Sequence, residues 1–323
     1  MAKTRYAPDR GLTARMTLTM FLLGVVFVAF IAALVAILSV RHYASGGGIV
    51  FFAVLLGLAL GVGSFYYSDK IALSTAQARL VTPEDGPQAA RLHGIVDRLT
   101  ALANMPKPRV AIAPSRMLNA FATGRNTKTS VLVVTTGLLD SNLDDRELEG
   151  VLAHELSHVA HKDVAVMTIA SFIGIIAALL IRFAFYSELF GGGGRGRGGN
   201  NNNNGGAIPI VLIVMVVGIV VYAISFLLIR LLSRYRELAA DRAGALLTGQ
   251  PSALASALQK VSGSMNAIPT KDLRAAEPLN AFYFVPAFKA GGKEFNLSNV
   301  FSTHPSLDRR LRQLSEISDQ LSR

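Results

Sequence analysis

Four long apolar runs interrupt the polar sequence of this chain, at residues 17–40, 48–67, 164–181 and 207–229. A helix needs about 20 apolar residues to cross the roughly 30 Å hydrocarbon core of a bilayer. The first, second and fourth runs meet that length, and the third is shorter. The pattern therefore predicts four transmembrane helices, although the last two runs could instead form a pair of buried core helices.

The polar stretches between these runs divide the chain into membrane regions and water-facing regions. Residues 191–206 are rich in Gly and Asn, a composition that cannot build a core and predicts an exposed connecting loop. If all four runs cross, the two large polar blocks share one side of the membrane, so we expect them to pack as one domain. The predicted regions are an N-terminal membrane region 1–67, a first polar block 68–163, a membrane hairpin 164–229 and a second polar block 230–323.

Local patterning in the first polar block predicts helices and a small sheet. Thr82 followed by Pro83 is typical of a helix N-cap and first helical position. Asp144 and Glu147 have the spacing of a capping box, which predicts the start of a second helix. Short apolar stretches predict three strands, at 109–113, 119–124 and 130–136. With a mostly helical second block, the expected fold class is α+β, an α-rich membrane protein with a small β-sheet.

Composition narrows the class of protein further. A hydrophobic content of 51% is too high for a typical water-soluble protein. The chain has no cysteine, so a metal ion would have to be held by His, Asp or Glu. The net charge of +11 lacks any accompanying nucleic-acid recognition motif, and basic residues that flank membrane spans explain it better. We therefore expect a lipid bilayer as a partner and no nucleic acid.

Basic residues near the spans predict their orientation. Four basic residues precede the first run, whereas the loop after it offers only Arg41. Because cytoplasmic flanks carry the excess of Lys and Arg, the N-terminus is expected in the cytoplasm, together with both polar blocks. Three arginines of the Gly-rich region and its flank oppose this orientation weakly: Arg182, Arg195 and Arg197.

His154, Glu155 and His158 form the pattern H-E-x-x-H inside the helix that the capping box begins. Residues four apart share one helix face, so both imidazoles can reach a single zinc ion. Glu155 would then act as general base towards a water that the ion activates, and afterwards as general acid towards the leaving amine. The alternative is a helix that displays two His and a Glu to solvent. His161 is interpreted as a structural or surface histidine.

A catalytic zinc site needs a third protein ligand. The metzincin pattern would place it ten residues after the first histidine, but that position is Val164, so this subclass is excluded. Glu237 is the best candidate for a ligand on a later helix, and a solvated surface glutamate is the alternative. Asp241 lies one helical turn further on, where it could hydrogen-bond a ligand histidine and fix its tautomer.

The order of features resembles the HtpX-type membrane metallopeptidases, relatives of the CAAX prenyl endopeptidases. The resemblance rests on two N-terminal spans, the motif H-E-L-S-H-V-x-x-x-D at 154–163, a membrane hairpin and the motif S-R-x-R-E-x-x-A-D at 233–241. It covers nearly the whole chain. It implies a gluzincin-type zinc-peptidase domain, one zinc ion per chain, Glu237 as third ligand and a supporting role for Asp241.

Two further segments are similar to the same family, and one more residue of the first motif has an implied role. In the segment H-P-x-x-x-x-R, the resemblance implies that His304 hydrogen-bonds the oxyanion or positions substrate, and that Arg310 pairs with a carboxylate near the site or braces its helix. The segment N-A-F-A-T-G implies an edge strand with Asn119 and Ala120 on the substrate side, where an ordinary sheet strand is the alternative. Asp163 is expected to cap or brace the active-site helix.

The resemblance implies a membrane-bound zinc endopeptidase that cleaves damaged or misfolded membrane proteins. It further implies a multi-pass protein of a bacterial inner membrane with its active site towards the cytoplasm. Two other functions stay open: a catalytically silent membrane scaffold, and a processing peptidase of the CAAX type. An intact H-E-x-x-H motif with Glu237 argues against the scaffold, because a scaffold has no need of every catalytic group.

Overall fold

The computed structural model describes residues 10–39, 44–191, 210–265 and 304–323. The chain forms two compact units, each made of separate segments. The sheet-bearing unit comprises Met1–Thr17, Ser64–Met167 and Arg230–Arg323, and the apolar unit comprises Leu18–Gly63 and Thr168–Ile229. Most of the predicted Gly- and Asn-rich loop at 191–206 lies outside the described residues.

Helices dominate the described part of the chain. They are α1 Arg10–Ser39, α2 Ala44–Tyr66, α3 Ser68–Thr75, α4 Pro87–Ala103, α5 Thr136–Leu139, α6 Asp145–Ala160, α7 Asp163–Gly191, α8 Ile210–Thr248, α9 Pro251–Met265 and α10 Leu307–Leu321. The strands are β1 Arg79–Leu80, β2 Arg109–Ala113, β3 Ala120–Thr123 and β4 Val131–Thr135. The predicted α-rich fold with a small sheet is confirmed.

Three described helices are long and apolar enough to cross a membrane, with candidate spans at Arg10–Ala33, Asp163–Arg182 and Leu212–Thr248. The candidate span at the third run extends one residue beyond the predicted 164–181 at each end, and helix α7 itself continues to Gly191. The second run forms α2, but its side chains are described only from Leu55 onward, where the apolar stretch is too short to count as a span. The total of four spans stays a prediction.

Close helix contacts hold the apolar unit together at two glycines. A Cβ added at Gly57 of α2 would lie 2.9 Å from Cγ1 of Ile176 on α7, and one added at Gly218 of α8 would lie 2.8 Å from Cγ1 of Ile181. Helices in a membrane gain stability from such close approach, since lipid provides no hydrophobic force between them. Both sides of α7 thus pack against a neighbour at a residue without a side chain.

The sheet of the other unit has the strand order β1-β2-β4-β3. The central strand β4 pairs in parallel with β2 and antiparallel with β3, and it is buried along its whole length. One face packs against α3, and the other joins the main core with residues of α4, α6 and α9. Among the strands that the structure describes, β3 is the last in this order and has one edge without a partner strand. Helix α6 lies against β3.

Thr82 is an N-cap and Pro83 a first helical residue, as predicted, but they begin a separate 3-10 turn and the long helix starts four residues later. Thr82 and Pro83 open a 3-10 turn at Pro83–Asp85, in which the Asp85 carboxylate accepts the Thr82 backbone N–H at 2.6 Å. Gly86 follows with φ of 126°, a backbone conformation that ends the turn, and α4 begins at Pro87.

The capping box predicted for α6 is confirmed. The Asp144 carboxylate accepts the Glu147 N–H at 2.8 Å, and the Glu147 carboxylate accepts the Asp144 N–H at 2.9 Å. At the other end Lys162 adopts φ of 58°, and α7 begins at the next residue. These two features fix both ends of α6, and the middle of the helix is buried. The side chains of α6 therefore keep fixed positions relative to the core.

Helix α8 approaches α6 closely at Gly244. A Cβ there would lie 2.9 Å from the backbone nitrogen of His154, so the two backbones meet where no side chain would fit. Because α6 cannot yield its backbone without disturbing the core, we expect Gly244→Ala to lower the free energy of unfolding by about 1–3 kcal/mol. Thermal unfolding of the detergent-purified protein, followed by circular dichroism, measures this change.

Gly94→Ala is the matched control for this prediction. Gly94 is an exposed position inside α4, and no described atom lies within 4 Å of where its Cβ would be. The same change there should stabilise the protein by up to about 1 kcal/mol through helix propensity. Equal effects of the two substitutions would contradict the close approach of α8 to α6.

Candidate metal centre

Three predicted ligands converge in the sheet-bearing unit: His154 and His158 from α6 and Glu237 from α8. One ligand atom of each lies within 4.8 Å of the others. The two Nε2 atoms are 3.3 Å apart, and the Glu237 carboxylate oxygens lie 3.7 Å from Nε2 of His154 and 3.6 Å from Nε2 of His158. Zinc–nitrogen bonds of about 2.0–2.1 Å in a tetrahedron would separate two nitrogens by roughly 3.3–3.4 Å.

Each histidine is oriented by a carboxylate at its other ring nitrogen. Nδ1 of His154 lies 2.9 Å from Oδ1 of Asp241, and Nδ1 of His158 lies 2.5 Å from Oδ2 of Asp163. A carboxylate accepts a proton-bearing Nδ1, which leaves Nε2 of a neutral imidazole as a lone pair. In that form the two Nε2 atoms, 3.3 Å apart, direct their lone pairs at one point, so the donor set fits a metal ion.

The electrostatics of the centre favour positive charge. Burial alone would lower the pKa of His154, but the carboxylates of Asp241 and Glu237 raise it to about 9. Burial opposes ionisation of Glu237, yet His304 and His154 hold its pKa well below the usual value. Among the described residues, no well-directed hydrogen bond reaches the buried Oε2 of Glu237. This atom is therefore suited to a metal ion.

Arg310 pairs with the carboxylate beside His154. Its Nε and Nη2 donate to the two oxygens of Asp241 at 2.7 and 2.6 Å, and both side chains are almost fully buried. Burial would raise the pKa of Asp241, but Arg310 and His154 bring it below its ordinary value. Of the two roles considered for Arg310, the structure shows the carboxylate pairing.

Asp163 has an equivalent environment on the other side of the centre. Arg236 Nη2 lies 3.0 Å from the same oxygen that accepts from His158. Burial opposes the charge, but Arg236 and His158 lower the pKa of Asp163 to about 2. Asp163 therefore contacts a predicted ligand directly, beyond the capping or bracing role expected of it. Sequence reasoning did not single out Arg236, although it lies within the quoted S-R-x-R-E motif.

Glu155 lies buried between α6 and β3. Its Oε2 accepts the backbone N–H of Ala122 at 3.2 Å, and burial raises the pKa of its carboxyl group. Alternate backbone groups along a strand face opposite edges, so the main chains of Ala120 and Ala122 face the edge of β3 away from β4. Sequence reasoning missed Ala122, because a backbone donor has no residue signature.

Of the other histidines and strand residues considered from the sequence, only His304 is found beside a predicted ligand. Both Asn119 and Ala120 are buried, and the Asn119 carbonyl accepts the backbone N–H of Thr135, on the β4 side. His304 is buried, with Nδ1 3.2 Å from Oε2 of Glu237. His161 is exposed at the end of α6, outside the ligand group.

A His-His-Glu group with a buried glutamate beside it is a donor set that metal-dependent peptidases use. The chain belongs to peptidase family M48, whose sequence pattern matches residues 87–318. It is 54% identical over 319 residues to Protease HtpX homolog 1 of Streptomyces coelicolor, which covers 99% of this chain and 97% of the relative. It is 44% identical over 320 residues to Protease HtpX homolog 2 of Methanosarcina mazei, with coverage of 99% and 100%.

A solved structure, Ste24p of S. mikatae, is similar to this chain with a TM-score of 0.47 and 18% identity. The similarity covers 95% of this chain and 66% of that one. The relatives and the family confirm the predicted HtpX-type resemblance. The chain is therefore a membrane protease, and its family implies a metal cofactor.

The environment of Asp163 generates a prediction about metal affinity. Asp163→Asn removes the charge that orients His158 and leaves Arg236 without its carboxylate. Loss of such an outer contact typically costs 10- to 100-fold in metal affinity, and we expect a decrease of that size. Competition between the detergent-purified protein and a chromogenic zinc chelator measures it.

Asp97→Asn is the control for this substitution, because Asp97 is an exposed residue paired with Lys107 on the surface. Its zinc affinity should equal that of the native protein. Thermal unfolding with excess chelator separates a weakened site from a weakened fold. Unchanged affinity in Asp163→Asn would show that Asp163 does not orient a ligand.

Proposed function

We propose that this protein is a zinc endopeptidase that hydrolyses internal peptide bonds in damaged or misfolded membrane proteins. The observation that carries the proposal is the pair of Nε2 atoms 3.3 Å apart, with the Glu237 carboxylate and the buried Glu155 beside them. Nitrogen and carboxylate donors in a three-ligand set suit a catalytic zinc better than Mg²⁺ or Ca²⁺, which prefer oxygen ligands.

His154, His158 and Glu237 would hold the ion. Zinc bound there would supply Lewis-acid chemistry, lowering the pKa of water and polarising a carbonyl oxygen. Glu155 takes the proton of the attacking water and hands it to the leaving amine as the peptide bond breaks. The hydrogen bond from the backbone N–H of Ala122 supports this role, because it holds one carboxylate oxygen of Glu155 in place.

Substrate would bind along the edge of β3 that has no partner strand among the described residues. An extended peptide can add to an exposed strand through main-chain hydrogen bonds, so a wide range of unfolded sequences would be accepted. The main chain of Ala120 faces the edge of β3 away from β4, which supports this arrangement, and Asn119 lies at the start of the same segment. His304 would hydrogen-bond the oxyanion or position the substrate, a role supported by its contact with Glu237.

Glu155→Gln is the decisive variant. It keeps the shape of the side chain and removes its basicity, so we expect zinc binding to stay near one ion per chain. The rate of cleavage of an unfolded protein substrate should fall by about 10²–10⁴-fold, the usual contribution of general acid-base catalysis. The measurement is cleavage by detergent-purified enzyme with and without zinc, with bound metal counted in both proteins.

Glu84→Gln is the matched control, since Glu84 is exposed in the 3-10 turn before α4. It should cleave at the native rate. If native enzyme binds zinc yet cleaves no more than Glu155→Gln, a catalytically silent scaffold is the better explanation. If neither protein binds metal, the ligand assignment is wrong.

We also propose that the protein is a multi-pass component of a bacterial inner membrane, with the metal centre on the cytoplasmic side. Four basic residues before the first apolar run support this orientation, since cytoplasmic flanks carry the excess of positive charge. A reporter fused after Tyr67 is expected to behave as cytoplasmic. A periplasmic signal at that point would overturn the orientation, and a fusion after Arg41 is the control expected in the periplasm.

A further inference from the structure

A group of two tyrosines and three cations lies at the end of α2, in α3 and in the loop between β3 and β4. We call it the juxtamembrane patch, and its members are Tyr66, Tyr67, Lys70, Arg125 and Lys128. The Arg125 guanidinium lies 5.0 Å from the centre of the Tyr66 ring, and Lys70 Nζ lies 5.5 Å from the centre of the Tyr67 ring. All five residues belong to the sheet-bearing unit.

The patch carries positive charge that acidic neighbours do not balance. Asp69 is the acidic residue beside it, and Arg109 binds that carboxylate at 2.6 Å. In the part of the chain that the structure describes, Lys70, Arg125 and Lys128 form no ion pair within 4.0 Å. Their charges are therefore available to an anionic partner.

The loop between β3 and β4, which carries Arg125 and Lys128, is ordered by hydrogen bonds of its own. The Asn126 side chain accepts backbone N–H groups of Lys128 and Thr129, both at 3.0 Å. Arg109 links this loop to α3, because Nη2 donates to the Thr129 carbonyl at 3.1 Å and contacts Asp69 at 2.6 Å. The loop thus has internal order and a tie to the helix that follows α2.

The location of the patch matches a lipid headgroup layer. Tyr66 and Tyr67 end the second apolar run, and they expose 54% and 55% of their surface. Tyrosines at the end of a membrane helix lie at the headgroup level, and nearby cations are attracted to anionic leaflets. The exposed Ile71, one turn further on, adds an apolar contact of the kind that headgroup regions accept.

We propose that the juxtamembrane patch binds the headgroups of anionic phospholipids and thereby holds the β3–β4 loop on the membrane surface. β3 ends where this loop begins, and its Ala122 N–H contacts Glu155. Anionic lipid should therefore also increase cleavage, by fixing the strand against which Glu155 lies. This second consequence rests on the proposed function, whereas lipid binding itself does not.

The test uses a fluorescent label on the full-length protein. Because the natural chain has no cysteine, Thr127→Cys gives a single labelling site in the loop, and Ser252→Cys on α9 gives an exposed reference site. Both proteins are reconstituted in phosphatidylcholine bilayers with or without phosphatidylglycerol. Brominated lipids then quench a label that lies at the membrane surface.

We expect stronger quenching at position 127 than at 252, and an increase when phosphatidylglycerol is present. Arg125→Gln with Lys128→Gln should weaken the docked state about fivefold for each charge removed, and high salt should weaken it as well. The control pair Lys107→Gln with Arg146→Gln removes two exposed charges elsewhere and should change nothing.

Quenching at 127 that ignores lipid charge and the loop substitutions would overturn the proposal. A label that responds instead to an acidic polypeptide in neutral lipid would overturn it in favour of a peptide-docking surface. If quenching at 127 behaves as expected but anionic lipid does not increase cleavage, the lipid site stands and its link to Glu155 is wrong. Normal quenching with no cleavage in any lipid would count against the proposed function alone.

Discussion

The close approach of α6 and α8 at Gly244 is the constraint on which the metal centre depends. Glu237, Asp241 and Gly244 are spaced by four and three residues, so they share one face of α8. With no side chain at Gly244, this face comes close enough for Glu237 and Asp241 to reach His154. The ligands come from distant parts of the sequence, so the centre forms only when both polar blocks pack together.

Burying this many charges is costly unless each is paired. Asp241 and Asp163 would both be strongly destabilising as isolated buried anions, and arginines on α10 and α8 offset them. Removing one partner of such a buried pair typically costs 3–5 kcal/mol, because the other charge remains. Arg310 thus makes helix α10 part of the metal centre through Asp241, the carboxylate that contacts His154.

Part of this centre could be predicted from sequence because its signals are local. A capping box and helical spacing place the two histidines on one face of α6. Glu237 needed the family resemblance, since a glutamate on a helix is usually solvated. Ala122 acts through a backbone N–H that any residue would provide, and the pairing of Arg236 with Asp163 depends on tertiary packing. The separation of the 3-10 turn at Pro83–Asp85 from α4 depends on Gly86 adopting φ of 126°, which sequence alone does not specify.

The metal centre and the membrane helices share continuous stretches of chain. Asp163 orients His158 and is also the first residue of α7, directly after the left-handed Lys162. Helix α8 runs without a break from its apolar part to Glu237 and on to Asp241. A displacement of either helix along its axis would therefore move a ligand, or the carboxylate that orients one. Insertion of the predicted hairpin and assembly of the centre are consequently coupled through the backbone at two points, the short junction at Lys162 and the unbroken helix α8.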